Sequence, residues 1–459
     1  MPYADATGEE LLAQQARRES SARTYPRHLP IAIDRARGVE VEDVDGNVYY
    51  DCLAGAGSLA LGHNHPDVIA EMERLLAADR PLHTLDVTTP EKEAFVDALF
   101  DSLPDAFADR AKVQFCSPAG TDAVEAALKL VRTATGNSPV IGFQGAYHGM
   151  TAGALALMGD ADPKGPVPGG DAHHLPYPYA YRQPLGLSGD RGHRATARLL
   201  ERTLDDPSGG IGDPAGVVLE PVQGEGGVVP APAEWLRSVR RITRERDVPL
   251  IVDEIQTGLG RTGELWGFER ADVVPDVVTA SKAVGGGLPL AVVVYDESLD
   301  EWAPGAHAGT FRGNQLAMAA GRATIEHVLE NDLHEHAARV GARLRERLEA
   351  LADRHDAIGD VRGRGLMLGV EFVDPGADPA TAPAEGLADP APPADGDLAA
   401  AVQSAALDRG LIIETGGRDG AVARFLPPLT LAASEADEIA DVFAGAVEAA
   451  TRREQGVTA

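Results

Sequence analysis

The sequence predicts an α/β fold with a large domain built on a mostly parallel sheet. Short apolar runs occur at residues 139–143, 217–219, 249–252 and 277–280, and each ends in polar or glycine residues. Such runs are typical of buried parallel strands whose carboxyl ends open into loops. Amphipathic segments with a helical period alternate with these runs from about residue 60 to 325. This alternation indicates one large α/β domain over that part of the chain.

The N-terminal residues combine a helix, a hairpin and a glycine-rich turn. Residues 7–20 place Leu11 and Leu12 on one face of a predicted helix. Residues 39–51 alternate around an Asp-Gly turn, which predicts a β-hairpin. Residues 52–65 are rich in glycine and small side chains, so their backbone could approach a ligand closely.

Two of the following strands end near candidate ligand groups. Residues 113–130 predict a strand, a tight turn and a helix that begins near Gly120 and Thr121. Because a helix N-terminus presents free N–H groups and the positive end of the helix dipole, it is a potential anion site. The strand at 217–219 has Glu220 at its end and Glu225 in the turn that follows.

The remaining elements are read from period and composition. They are helices at 66–76, 333–352, 398–409 and 435–452, strands at 411–414 and 424–429, and a long proline-rich loop at 163–187. Residues 363–372, GRGLMLGVEF, lead into a strand. Their glycine spacing resembles a dinucleotide fingerprint, but we reject that match because no strand is predicted before it and no helix after it. Residues 374–397 are acidic and rich in proline and alanine, which predicts a mobile surface insertion.

Composition limits the possible partners. The 459 residues carry a formal net charge of −30, which argues against nucleic acid or an anionic membrane as a partner. Cys52 and Cys116 lack zinc-ligand spacing and cannot form a disulfide framework, so we expect no metal site and a cytoplasmic protein. The acid excess also suits a protein that works in concentrated salt, although a GC-rich genome would explain the excess of arginine over lysine equally well.

An acid and a lysine follow two of the predicted strands. Asp253 comes after the run at 249–252 and Lys282 after the run at 277–280, so both would face the crevice where ligands of open α/β sheets bind. A lysine amine can bind the aldehyde of pyridoxal phosphate, and a carboxylate can keep its ring nitrogen protonated. Lys282 is the outstanding candidate among five lysines. On this pair alone, Asp253 as a helix cap and Lys282 as a solvated loop residue stay an open alternative.

Five motifs in order resemble a known family. They are FQGAYHGMT, LEPVQGEGG, LIVDEIQTGLGRTG, TASKAVGGG and GTFRGNQLA. Together they resemble the class III pyridoxal-phosphate-dependent aminotransferases over nearly the whole chain. The resemblance implies fold type I, with a large cofactor-binding domain at 61–325 and a small α+β domain formed by residues 1–60 and 326–459.

The resemblance also implies a role for each matching residue. The cofactor-binding residues would be Gly120, Thr121, Tyr147, Asp253, Gln256, Lys282 and Thr310. Lys282 would bind the cofactor aldehyde and then carry the proton between substrate and cofactor, while Asp253 would pair with the ring nitrogen. Tyr147 would stack on the ring, although by itself it could be an ordinary half-buried aromatic. Thr310 would complete the phosphate site of the partner subunit, so the active unit would be at least a homodimer.

Two further residues match a substrate gate. Glu225 would mask Arg424 while a terminal amine reacts, and Arg424 would then bind the carboxylate of 2-oxoglutarate in bidentate fashion. The alternative is a structural ion pair, and Glu220 fits a supporting role better than a catalytic one. Met150 stands where several ω-aminotransferases have a carboxylate-binding arginine, and Arg312 is a candidate for the missing charge.

Within the family, four stretches are most similar to the L-2,4-diaminobutyrate:2-oxoglutarate 4-aminotransferases. They are SPAGTDAVEAALKLVRTATG, CLAGAGSLALGHNHP, LHTLDVTTPEK and GAHAGTFRGNQLAMAAG. The implied reaction converts diaminobutyrate and 2-oxoglutarate into aspartate 4-semialdehyde and glutamate. The alternatives are ornithine, acetylornithine or 4-aminobutyrate as the donor, or an aminomutase or racemase on the same fold.

Overall fold

The part of the chain that the structure describes contains a seven-stranded sheet, two four-stranded sheets and a two-stranded ribbon. The structure is a computed structural model, and it describes residues 6–160, 164–165, 170–379, 387–388 and 390–457. Among these residues, no helix combines the length and the apolar character needed to cross a membrane.

The strands are short, as expected for an α/β protein. In chain order they are β1 (Ile33–Arg37), β2 (Glu40–Asp43), β3 (Val48–Asp51), β4 (Ala111–Phe115), β5 (Val140–Phe143), β6 (Ala172–Leu175), β7 (Gly216–Leu219), β8 (Val222–Gln223), β9 (Val229–Pro230), β10 (Leu250–Asp253), β11 (Val277–Ala280), β12 (Val292–Asp296), β13 (Ile358–Arg364), β14 (Met367–Phe372), β15 (Leu411–Ile412), β16 (Glu414–Gly416) and β17 (Val422–Phe425).

Helices connect most of these strands. In chain order they are α1 (Gly8–Arg18), α2 (Ala54–Gly57), α3 (Pro66–Ala77), α4 (Pro90–Asp101), α5 (Asp105–Ala108), α6 (Gly120–Thr135), α7 (Ala152–Ala156), α8 (Gly189–Asp205), α9 (Ala233–Arg244), α10 (Gln315–Glu330), α11 (Leu333–Ala352), α12 (Gly396–Leu407) and α13 (Ala433–Val457). A short 3-10 turn at Lys282–Gly285 follows β11, and another at Thr310–Gly313 precedes α10.

The seven-stranded sheet has the order β4-β12-β11-β10-β7-β5-β6. Strand β12 is antiparallel to both of its neighbours, and all other adjacent pairs are parallel. Every residue of β5, β7, β10 and β11 is buried, which explains why these strands appear in the sequence as continuous apolar runs. The predicted α/β fold with a mostly parallel sheet is confirmed.

The two ends of the chain meet in a separate sheet of order β1-β2-β3-β15. Strand β15 pairs in parallel with β3, the second strand of the predicted N-terminal hairpin. The other four-stranded sheet, β13-β14-β17-β16, is antiparallel and comes entirely from the C-terminal part of the chain. It carries Arg424 on β17, so this sheet contributes directly to the candidate site.

Two predictions about irregular segments were wrong. Part of the predicted loop at 163–187 forms β6, an edge strand that pairs with β5. Strand β13 precedes the glycine-rich segment at 363–372, contrary to our expectation, and it pairs with β14 as a hairpin rather than as part of a dinucleotide-binding unit.

The predicted insertion at 374–397 is described in part. Helix α12 begins at Gly396, so the last two residues of that segment are helical. Residues 380–386 and 389, which also belong to the predicted insertion, lie outside the described part of the chain.

Candidate active site

One cavity of about 280 Å³ lies at the carboxyl edge of the seven-stranded sheet. The loops after β4, β5, β7, β10 and β11 all contribute to its wall. Of the residues predicted from sequence, it is lined by Gly120, Thr121, Tyr147, Glu225, Asp253, Gln256 and Lys282. Parallel strands therefore bring together residues that are up to 162 positions apart in the sequence.

Lys282 enters the cavity from the turn that follows β11. Its backbone is left-handed, with φ of +51°, and Gly286 and Gly287 continue the turn with positive φ. Desolvation lowers the pKa of the Lys282 amine, and the opposing effect of Glu225 does not cancel this shift. A lowered pKa increases the fraction of neutral amine, which is the form that attacks an aldehyde.

Asp253 is fixed in place by three hydrogen bonds. Its Oδ2 accepts a 2.7 Å bond from Nδ1 of the buried His148. Its Oδ1 accepts 3.1 Å bonds from the backbone N–H of Ile255 and from the Thr279 hydroxyl. Burial lowers the pKa of His148, but the bond to Asp253 outweighs this effect and leaves the pKa raised. The carboxylate thus has an imidazole partner behind it and a defined orientation in the cavity wall.

The N-terminus of α6 forms another part of the cavity wall. Asp122 Oδ2 accepts a 3.0 Å bond from the N–H of Ala119, while Gly120 and Thr121 begin the helix beside the cavity. Thr121 Oγ1 also lies 2.6 Å from the hydroxyl of Thr151 in the loop after β5. The arrangement suits an anion, because the helix dipole and free N–H groups act together.

Gly149 sets how closely that loop approaches α6. Its φ is +120°, and a Cβ atom added there would lie 2.4 Å from Cβ of Thr121. A glycine is therefore required both by the backbone conformation and by the lack of space.

Glu225 and Arg424 form a bidentate ion pair at the cavity. Nη1 and Nη2 of Arg424 donate to Oε1 and Oε2 of Glu225, each at 2.8 Å. Arg424 is buried, whereas 37% of the Glu225 side chain is exposed. Burial raises the pKa of Glu225, but Arg424 outweighs this effect and leaves the pKa lowered, so the carboxylate stays ionised.

Glu220 holds two loops of the site together. Its Oε1 accepts from the N–H of Tyr147 and its Oε2 from the N–H of Gly224, each at 2.9 Å. Burial raises the pKa of Glu220 to about 7. Because both oxygens are engaged by backbone N–H groups, the geometry suits a supporting residue.

Three predicted residues do not line this cavity, namely Arg424, which meets it through Glu225, and Thr310 and Arg312. Thr310 is exposed on the turn before α10. Arg312 belongs to the same turn and is buried; it donates to the carbonyl of His307 and lies 3.8 Å from Asp86. Met150 lines the cavity and is 56% exposed, whereas Arg312 is not among the residues that line the cavity of its own chain.

Sequence reasoning missed His148 and Glu414. His148 stands within the motif FQGAYHGMT, directly after Tyr147, and its position after a strand end was the signal that could have indicated it. Glu414 is paired with Arg424 across β16 and β17. Nothing in the local sequence around Glu414 indicates that pairing, because it depends on the register of two strands.

The cavity fits pyridoxal phosphate by its chemistry. It joins a lysine amine of lowered pKa, a fixed carboxylate and the start of a long helix. Gln256 Oε1 is buried and has no hydrogen-bond partner among the described residues, which leaves an acceptor for a donor on a ligand. Bound there, the cofactor would supply an electron sink for a substrate carbanion.

The fold and the site together define a fold-type-I pyridoxal-phosphate enzyme. The family model for class III aminotransferases matches residues 21–447. The chain therefore belongs to the class III aminotransferases, and it is a transaminase that depends on pyridoxal phosphate. Enzymes of this class transfer an amino group from an amino donor to a keto acid.

Curated relatives and solved structures agree with this assignment. The chain is 55% identical to a diaminobutyrate–2-oxoglutarate aminotransferase of Rhizobium meliloti, over 96% of this chain and 93% of that protein. It is 44% identical to the Haemophilus influenzae protein of the same name, over 95% of each chain. A PLP-bound amine transaminase from an uncultivated Pseudomonas species superposes with a TM-score of 0.81 at 27% identity, covering 94% of this chain and 98% of that one.

Proposed function

We propose that this protein transfers the terminal amine of L-2,4-diaminobutyrate to 2-oxoglutarate, giving L-aspartate 4-semialdehyde and L-glutamate. The observation that carries the proposal is the Glu225–Arg424 ion pair beside Lys282. In the first half of the reaction the reacting carbon carries no carboxylate, so Arg424 is best masked. In the second half, 2-oxoglutarate brings a carboxylate next to the reacting carbon, and a guanidinium released by Glu225 can bind it through two bonds.

The remaining residues of the cavity have matching roles in the proposal. Lys282 binds the cofactor aldehyde and moves the proton at the reacting carbon. Asp253, oriented by His148, pairs with the ring nitrogen. Tyr147 covers the ring and Gln256 approaches its oxygen. Gly120 and Thr121 hold the phosphate at the start of α6.

The proposed active unit is a homodimer or a larger homo-oligomer. Thr310 is exposed and absent from the cavity of its own chain, as a residue that serves a neighbouring subunit should be. We further propose a large cofactor-binding domain at 61–325 and a small domain formed by 1–60 and 326–459. The β1-β2-β3-β15 sheet supports this division because its strands come from both chain ends. The cytoplasmic location remains a prediction.

Mixing cofactor-loaded protein with single amines tests the donor. The absorption of the bound cofactor would be followed with L-2,4-diaminobutyrate, L-ornithine, 4-aminobutyrate and N-acetylornithine. We expect diaminobutyrate to change the spectrum fastest and 2-oxoglutarate to restore it. A faster response to another amine would contradict the proposed donor. Product formation without any keto acid would instead favour an aminomutase or racemase.

A further inference from the structure

A second carboxyl group lies beside the gate arginine. Glu414 on β16 is the direct register partner of Arg424 on β17. Residues opposite each other in an antiparallel pair project from the same face of the sheet. Glu414 therefore shares one face with the guanidinium that binds Glu225, and it is only 7% exposed.

Arg424 does not neutralise Glu414 through a direct bond. Both terminal nitrogens of Arg424 are used by Glu225, and no ion pair joins Arg424 to Glu414 among the described residues. The Nε of Arg424 lies so close to Gly416 that a Cβ atom there would approach it to 2.8 Å. The guanidinium thus leans along β16 toward Gly416 and Glu225.

One oxygen of Glu414 is consequently left without a donor. Oε2 is buried and has no hydrogen-bond partner in the described part of the chain. Burial raises the pKa of Glu414 to about 7, Arg424 opposes the rise and Glu225 adds to it. An unsatisfied buried carboxyl oxygen is costly, so a donor that arrives with a ligand is its natural partner.

The chemistry of the proposed donor supplies such a group. L-2,4-diaminobutyrate differs from 4-aminobutyrate only by an ammonium group on C2. With the C4 amine at Lys282, the C2 end of the donor has to lie further along the cavity, and on the side of Glu225 it would approach Glu414, which adjoins the cavity through Arg424. The three acids that line the cavity are already engaged: Glu225 by Arg424, Glu220 by two backbone N–H groups, and Asp253 by the three hydrogen bonds described above.

We propose that Glu414 is a specificity-determining residue that accepts a hydrogen bond from the C2 ammonium of the diamino acid. The proposal rests on the proposed function, because it concerns how that donor is distinguished from an ω-amino acid. Tyr25 adjoins the same cluster: burial raises the pKa of its phenol, and the charges of Glu414 and Glu225 raise it further. A site built around a charged acceptor discriminates strongly against an analogue that lacks the donor.

The test compares two donors in single-turnover amine half-reactions. Wild type and Glu414→Gln, both loaded with cofactor, would be mixed with L-2,4-diaminobutyrate or 4-aminobutyrate. We expect Glu414→Gln to lose affinity for diaminobutyrate by about 10–100-fold, the loss expected for one hydrogen bond to a charged group. The ratio of the two affinities should fall by at least about tenfold, because 4-aminobutyrate has no ammonium group on C2.

A second variant and a second half-reaction separate this role from a structural one. Glu414→Asp keeps the charge and should retain part of the preference for diaminobutyrate, even if Glu414→Gln loads cofactor poorly. An equal loss for both donors, or a loss confined to the half-reaction with 2-oxoglutarate, would mean that Glu414 only positions Arg424 and would overturn the proposal. The wild-type reaction tests the proposed function separately: failure of wild type to react with diaminobutyrate contradicts the donor itself.

Discussion

The left-handed backbone of Lys282 determines how its amine enters the cavity. A residue other than glycine at φ of +51° is uncommon, and it is maintained only where the surrounding structure enforces it. Here the fully buried β11 precedes the lysine and two positive-φ glycines follow it in the same turn. The side chain is therefore placed by the fold, while its lowered pKa comes from the desolvation that accompanies that placement.

The substitution Lys282→Ala should abolish multiple turnover. We expect a loss of about 10²-fold or more, because the variant removes both the covalent attachment and the proton carrier. Cofactor should still bind through the start of α6. Steady-state assays together with the cofactor content after gel filtration would show this. Lys112→Ala, which changes a lysine with a 48% exposed side chain, is the matched control and should keep its turnover.

A second prediction concerns the ion pair between Glu225 and Arg424. Arg424→Lys replaces a planar fork by a point charge, so the bidentate contact with a carboxylate is lost. The KM for 2-oxoglutarate should rise by about 10-fold or more, with a smaller effect on the amine half-reaction. Separate measurements of the two half-reactions would check this. Equal losses in both would indicate a structural ion pair.

Secondary-structure elements differ in how far the sequence predicts them. Helix α11 has the bounds predicted for a long polar helix at 333–352, and its buried residues lie on one face along its whole length. Strand β6 was missed because it is an edge strand of half-buried residues, AHHL, within a proline-rich segment. For the site, Asp253 and Lys282 could be predicted because parallel strands end at one edge. Glu414 could not, because its position opposite Arg424 depends on the register of β16 and β17.

The substitution Gly149→Ala should displace the loop after β5 from α6. The new methyl group would clash with Thr121, and the backbone would be strained at φ of +120°. We expect the free energy of unfolding to fall by about 2–4 kcal/mol, together with weaker cofactor binding. Chemical denaturation and cofactor titration would measure both effects.

Gly136→Ala is the matched control for that change. Gly136 also has positive φ, at the end of α6, but a Cβ atom there would meet nothing within 4 Å. Gly136→Ala should lower the free energy of unfolding by only about 1 kcal/mol and leave cofactor binding intact. A similar loss of cofactor binding in both variants would contradict the proposed role of the Gly149 contact.

For the whole molecule, a dimer assembled from two different variants tests whether the active site is shared between subunits. Lys282→Ala and Thr310→Val should each be impaired as homo-oligomers. If Thr310 serves the partner subunit, a mixed dimer has one complete site, made from Lys282 of one chain and Thr310 of the other. Refolding the two variants together should restore up to about a quarter of the wild-type activity, since half of a random mixture is mixed dimer with one of two sites intact. No gain on mixing would contradict a shared site.

The net charge of −30 leads to a prediction about salt. If the protein is adapted to concentrated salt, raising KCl from about 0.1 to 1 M should raise its melting temperature, because the Debye length falls from about 10 to 3 Å and screens self-repulsion. The weakening of isolated exposed ion pairs by salt should have a smaller effect on the melting temperature, because each such pair contributes little to stability. Equal stability and activity in dilute buffer would contradict the adaptation.

The ion pair between Glu225 and Arg424 joins positions 199 residues apart in the chain. Glu225 lies in a turn beyond the seven-stranded sheet, whereas Arg424 lies on a strand of the β13-β14-β17-β16 sheet. In the proposed reaction the acceptor substrate takes the place of Glu225 on Arg424, so one contact between that turn and the C-terminal sheet opens once in every turnover. The backbone of that turn should stay attached, because the Gly417 N–H donates a 2.8 Å bond to the Glu225 carbonyl and Arg362 donates a 2.9 Å bond to the Gly227 carbonyl. The exchange of substrates therefore moves one side chain while the turn and the C-terminal sheet remain joined.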